Sequence, residues 1–120
     1  MLQIAPHAAE DVTVLKLTGQ LIYGAESRTL AEQVKMQVAG GNVQILLDLS
    51  GVGFIDSGGV GEIVACYSSV RRAQGQLKMC GATDMVKKVL KIVRLPTMIS
   101  LFDKEAEAVA SFAVPPTGST

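Results

Sequence analysis

The chain has few aromatic residues, one histidine and two cysteines in 120 residues, and its charges cancel. Each scarcity excludes something. Aromatics make up 4% of the sequence against 48% apolar residues, so the core has to be aliphatic and closely helix–sheet packed. Eleven basic and eleven acidic side chains sum to a net charge of zero, which leaves no overall electrostatic footprint for nucleic acid or an anionic membrane. The apolar runs are far shorter than a membrane span, and no basic stretch leads into an apolar signal core, so the cytoplasm is the expected compartment. His7, the lone histidine, falls in an expected surface turn, far from any serine it could activate, which argues against a serine hydrolase. No cluster of histidine, cysteine and carboxylate has ligand spacing, so neither a metal nor another cofactor is expected. Cys66, on an expected helix, and Cys80, on an expected strand, read as packed thiols and not as a disulfide.

What is present is alternation. Leu2 to Ile4 reads as a short edge strand ending at Pro6, and Val12 to Leu17 as a second strand ended by Gly19. Ser27 or Glu26 opens a helix with Leu30, Val34 and Val38 at i, i+4 and i+8, closed by Gly40-Gly41. Residues 43–49 form a near-continuous apolar run, the mark of a strand covered on both faces. A helix from about residue 58 to 74 and a strand over Gln76 to Cys80 follow. Thr83 caps a helix that Pro96 cannot continue, a brief strand covers residues 98–101, and Asp103 caps a last helix with Ala106, Val109 and Ala110. Residues 115–120, Pro-Pro-Thr-Gly-Ser-Thr, are expected to be a disordered tail on one domain spanning 1–114. The order predicts a single α/β domain with a mostly parallel central sheet of four to five strands and about four helices.

The segment Phe54-Ile55-Asp56-Ser57-Gly58-Gly59-Val60-Gly61 carries the functional signal. Downstream, Val60, Ile63, Val64, Tyr67 and Val70 keep one helical stripe, so Asp56-Ser57 falls at the junction of a buried strand and an amphipathic helix. A hydroxyl there is exposed, and a phosphate on it sits in a favourable dipole field. The glycines also suggest phosphate binding, but the Gly-Lys-Ser/Thr ending of a nucleotide loop is missing, and an enzymatic role is not expected. On the residues alone, a plain helix cap remains an alternative.

The element order and the Ile55–Gly61 stretch resemble the STAS domain of anti-sigma factor antagonists, over about residues 2–112. The resemblance implies that Ser57 is phosphorylated by a partner that is both a serine kinase and an anti-sigma factor. It also implies that the unmodified form binds that partner and frees a sigma factor, and that a serine phosphatase resets the modified form. Two departures concern partner choice. Gly58 stands where many relatives have a second hydroxyl, which would let a partner backbone approach closely, and Ile22 stands near a position where relatives often carry an acid. The partner surface is expected to combine Asp56, Ser57 and Gly58, the Ile22–Tyr23 loop, and Glu62, Ala65 and Ser69, which with Arg72 share a helix stripe away from the apolar face. Lys87, Lys88 and Lys91 read as a solvated helix face, or as a docking site for an acidic patch. The alternative to a phosphoswitch is a constitutive STAS subunit of a transport or lipid-trafficking complex.

Overall fold

The near-continuous apolar run at the centre of the sequence becomes β3 (Gln44–Ile55), and its alternation divides the molecule into layers. Ile45, Leu47 and Leu49 point into the larger core, whereas Leu46 points into a smaller one on the other side. The structure, a computed structural model, describes residues 1–113; the expected tail lies outside the described residues. Before β3 come β1 (Leu2–Ala9), β2 (Val12–Leu21) and α1 (Ala25–Ala39). After it come α2 (Ser57–Arg72), β4 (Gln76–Cys80), α3 (Asp84–Ile92), a 3₁₀ turn (Leu95–Thr97), β5 (Leu101–Phe102) and α4 (Glu105–Phe112).

The five strands lie in sequence order. β1 pairs antiparallel with β2 and every other pair is parallel, so the mostly parallel α/β sheet expected from the sequence is present. Helices α1, α2 and α3 cover one face, burying Leu30, Val34, Ile63, Cys66, Val70, Val86 and Leu90 against the sheet. On the other face α4 packs Ala108, Val109 and Phe112 over Val12, Val14, Leu46 and Cys80. Each fully buried aliphatic side chain contributes about 1.5–3 kcal/mol, and the core residues are nearly all of this kind. The two cysteines are free, buried, and in different cores.

Several boundaries differ from expectation, each because of a neighbour. β1 runs through Pro6 to Ala9, because an edge strand with one partner tolerates the missing N–H. His7 is therefore on an edge strand, not in a turn, and its Nε2 lies 3.1 Å from the Glu105 carboxylate. β3 continues six residues past Leu49 to Ile55 because β2 follows it through two irregularities, after Lys16 and after Gly19. Gly19, expected to end β2, is consequently inside it, and the strand runs on to Leu21. Helix α1 opens not on Ser27 or Glu26 but on Gly24, at φ 115°, whose N–H donates to the Ser27 hydroxyl at 3.1 Å. Asp103 caps nothing: the cap position of α4 is Lys104, and the Asp103 carboxylate accepts a 2.8 Å bond from Lys87. A 3₁₀ turn containing Pro96, Leu95–Thr97, precedes the brief strand, which covers Leu101–Phe102 and not residues 98–101.

Candidate functional site

Past Asp48, which pairs with the last residue of β4, the strand β3 continues beside β2 alone. This two-stranded extension delivers Asp56 and Ser57 to the end of the sheet at which the parallel strands terminate. Asp56 is the cap of α2: extended backbone at φ −111° and ψ −177°, its carboxylate accepting from Gly59 N–H at 2.8 Å. The same carboxylate accepts from Tyr23 N–H at 3.1 and 3.2 Å, so the loop between β2 and α1 is tied to the start of α2. Asp56 N–H in turn donates to the Leu21 carbonyl at 3.3 Å. The Gly59 bond, with those from Tyr23 and Gly58, holds the Asp56 carboxyl below the usual range for an aspartate, outweighing the partial desolvation that pushes it up.

Ser57 is the first residue of the helix and is exposed. The sequence left the cap shared between Asp56 and Ser57; in the structure the carboxylate takes it, and the hydroxyl is not needed to start α2. Gly58 does not bare the helix to solvent, because a side chain there would run into Cβ of Tyr23 and come within 2.9 Å of its Cα. A side chain at Gly59 would strike the Leu21 carbonyl. Gly61 differs from both, with nothing within 4 Å of where its Cβ would be.

The expected partner residues separate into two groups. Tyr23 is 80% exposed beside the start of α2, and Ile22 is half-buried. Ser57, Gly61, Ala65 and Ser69 follow at i, i+4, i+8 and i+12 and are all exposed, with Arg72 beyond them donating to the Ser69 hydroxyl at 3.4 Å. Glu62 is only half-exposed and turns toward α1, where it accepts a 3.5 Å bond from the Cys66 thiol. There it joins Ala65 and Ser69 along a groove of about 270 Å³ between α1 and α2, across from Ala31, Val34 and Lys35. Desolvation, with the Glu62 charge behind it, pushes the Cys66 thiol strongly upward, so it is an inert packing group. Sequence reasoning missed Gly61 and the groove. A run of small residues four apart, Ser57, Gly61, Ala65 and Ser69, was the available signal for the first.

No group of three or more metal-ligating side chains occurs among the described residues. No helix among them is long and apolar enough to cross a membrane.

The family model of the STAS domain matches residues 3–108. An anti-sigma F factor antagonist of Paenibacillus polymyxa is 25% identical over 118 residues, covering 94% of this chain and 97% of its own. Among solved structures, the Thermotoga maritima protein TM1081 has a TM-score of 0.85 at 23% identity, over 92% of this chain and 95% of its own. The Bacillus cell fate determinant SpoIIAA in its phosphorylated form has a TM-score of 0.67 at 19% identity, over 92% of this chain and 98% of its own. These two likenesses are of fold. With the family match running from Gln3 in the edge strand to Ala108 in the last helix, the chain belongs to the STAS domain family.

Proposed function

We propose that this domain is an anti-sigma factor antagonist acting in the cytoplasm, switched by phosphorylation of Ser57. The unmodified form binds an anti-sigma factor with serine kinase activity and so releases a sigma factor; a serine phosphatase restores it. The observation that carries this reading is the division of labour between Asp56 and Ser57. Asp56 caps the helix and fastens the Tyr23 loop, while Ser57 is exposed one residue further on. Curated relatives named as anti-sigma factor antagonists, and a fold neighbour solved in a phosphorylated form, support it.

In the modification step the Ser57 oxygen bonds to the γ-phosphorus of ATP held by the partner. The hydroxyl proton passes to a partner base and ADP leaves. The product gains roughly −1.5 to −2 charges at the start of α2, where the helix dipole favours an anion. The fold therefore tolerates the phosphate, and the cost falls on the complex. An uncompensated charge buried in an interface costs about 3–5 kcal/mol. Since about 1.4 kcal/mol is tenfold in affinity, binding weakens on the order of a hundredfold or more.

The contact surface is Tyr23 with the exposed stripe of Ser57, Gly61, Ala65 and Ser69, whose small side chains admit another chain closely. Asp56 and Gly58 hold that surface in place from behind, the half-buried Ile22 adjoins it next to Tyr23, and Glu62 borders it along the α1 groove. Calorimetric titration of the unmodified and phosphorylated forms with the anti-sigma partner tests the switch. Near-native thermal stability with a large loss of affinity is expected. Equal affinity would reject the switch and favour a constitutive binding subunit. Ala65→Arg is expected to weaken binding without unfolding the domain, and Ser57→Ala to abolish phosphate incorporation.

A further inference from the structure

The opposite end of the sheet is built differently. Helices α2 and α3 run back against the parallel strands they connect, so their C-termini lie at the end away from Ser57. Lys91, Ile92, Val93 and Arg94 are four consecutive exposed residues there, with Ile92 72% and Val93 50% exposed. Arg94 turns the chain in left-handed backbone at φ 60°. Met98, just past the 3₁₀ turn, is 53% exposed; Met85 is 57% exposed but stands in the first turn of α3, at the Ser57 end. The stripe that α3 buries is Val86 and Leu90, so the core makes no demand on Met85 or Ile92.

The charge along this stretch is mainly of one sign. Between residues 84 and 98 the cations are Lys87, Lys88, Lys91 and Arg94, and the single anion is Asp84. Lys87 is occupied by Asp103, whereas Lys88, Lys91 and Arg94 are exposed. Arg71 and Arg72, in the last turn of α2, add to the same end. A neutral chain thus carries a local basic patch with apolar side chains at its centre. The helix dipole gives Lys91 a structural reason to sit in the last turn of α3. It gives Ile92, Val93 and Met98 none.

We propose that the corner formed by α3 and the 3₁₀ turn is a second docking surface, which receives an acidic protein segment bearing apolar side chains. Carboxylates on such a segment meet Lys88, Lys91 and Arg94 while its apolar residues cover Ile92, Val93 and Met98. A flat anionic bilayer fits less well. Glu10 and Asp11 form the turn between β1 and β2 at the same end of the sheet, and a membrane broad enough to meet the basic corner would press on them too. A segment narrower than the sheet avoids both. Because this surface and Ser57 lie at opposite ends, the two can be engaged together.

The test uses the full chain, isotope-labelled, titrated with a synthetic helical peptide carrying Glu on one face and Leu at i, i+4 and i+7. Amide shifts are expected at residues 88–98, with affinity falling on the order of tenfold or more in Ile92→Glu and in Lys91→Glu, as for central contacts of an interface. Ser57→Asp should bind the peptide as the parent does. Shifts mapping to the Ser57 end or the α1–α2 groove, equal binding of a peptide with Lys in place of Glu, or no binding at millimolar peptide would each overturn the proposal. Co-sedimentation with phosphatidylglycerol vesicles but not phosphatidylcholine vesicles, lost in Ile92→Glu, would replace the protein segment with a membrane surface.

Discussion

Asp56 binds the amides of Tyr23, 33 residues before it, and of Gly59, three after it, and it lies beside the residue proposed to change charge. The cap and the switch are therefore separable by mutation. Ser57→Ala should leave stability within about 0.5 kcal/mol of the parent, as for a surface change that removes no cap. Asp56→Ala should lower the melting temperature and free Tyr23, seen as faster amide exchange at Tyr23 and Gly59. The pH dependence has a definite sign. The carboxyl is held below its ordinary value of 3.8, so its contribution is complete above that value and is lost as pH falls through the lower folded-state value. An acid titration followed by exchange should show Tyr23 and Gly59 opening together below about pH 4, and Asp56→Asn should abolish the step. The sequence showed that a cap lay at Asp56-Ser57 because the strand and helix periods change there. It could not divide the roles, since the second ligand of the carboxylate, Tyr23 N–H, comes from a distant loop.

At the scale of the element, α2 begins with three glycines that look equivalent in the sequence and are not. Gly59 faces the Leu21 carbonyl and Gly61 faces open space. Gly59→Ala should cost about 1–3 kcal/mol, the range for forcing extra volume into packed structure. Gly61→Ala should stabilise by about 0.5–1 kcal/mol, since only the helical entropy penalty of glycine is removed. Chemical denaturation of both variants checks the contrast. If Gly61 is kept bare for the partner, Gly61→Ala should also weaken partner binding. Asp103 shows the same limit of local reading. Its type and position suit a cap, yet Lys87, sixteen residues earlier, captures the carboxylate. Helix bodies and the central strand were legible because their apolar periods are local. Their ends depended on which strand lay alongside.

Across the whole molecule the two faces of the sheet are unequally covered, three helices against one. The single helix α4 is fastened by Lys78, whose ammonium donates to the Ser111 hydroxyl at 2.8 Å and the Ser111 carbonyl at 3.1 Å. It also lies 4.7 Å from the centre of the Phe112 ring. This asymmetry gives the chain a built-in clock. Beneath α4 lies Cys80, and desolvation, with Asp48 and Glu105 nearby, pushes its thiol up to about 12. At neutral pH a thiol reagent can therefore react with it only in moments when α4 has lifted away. Cys66 is inert for the same reason but belongs to the other core, where it lines the groove between α1 and α2. Alkylation timed by mass spectrometry should record two independent rates, the one at Cys80 raised by Lys78→Ala and the one at Cys66 unchanged by it. Two thiols that do no chemistry would then serve as separate timers, one for each side of the sheet.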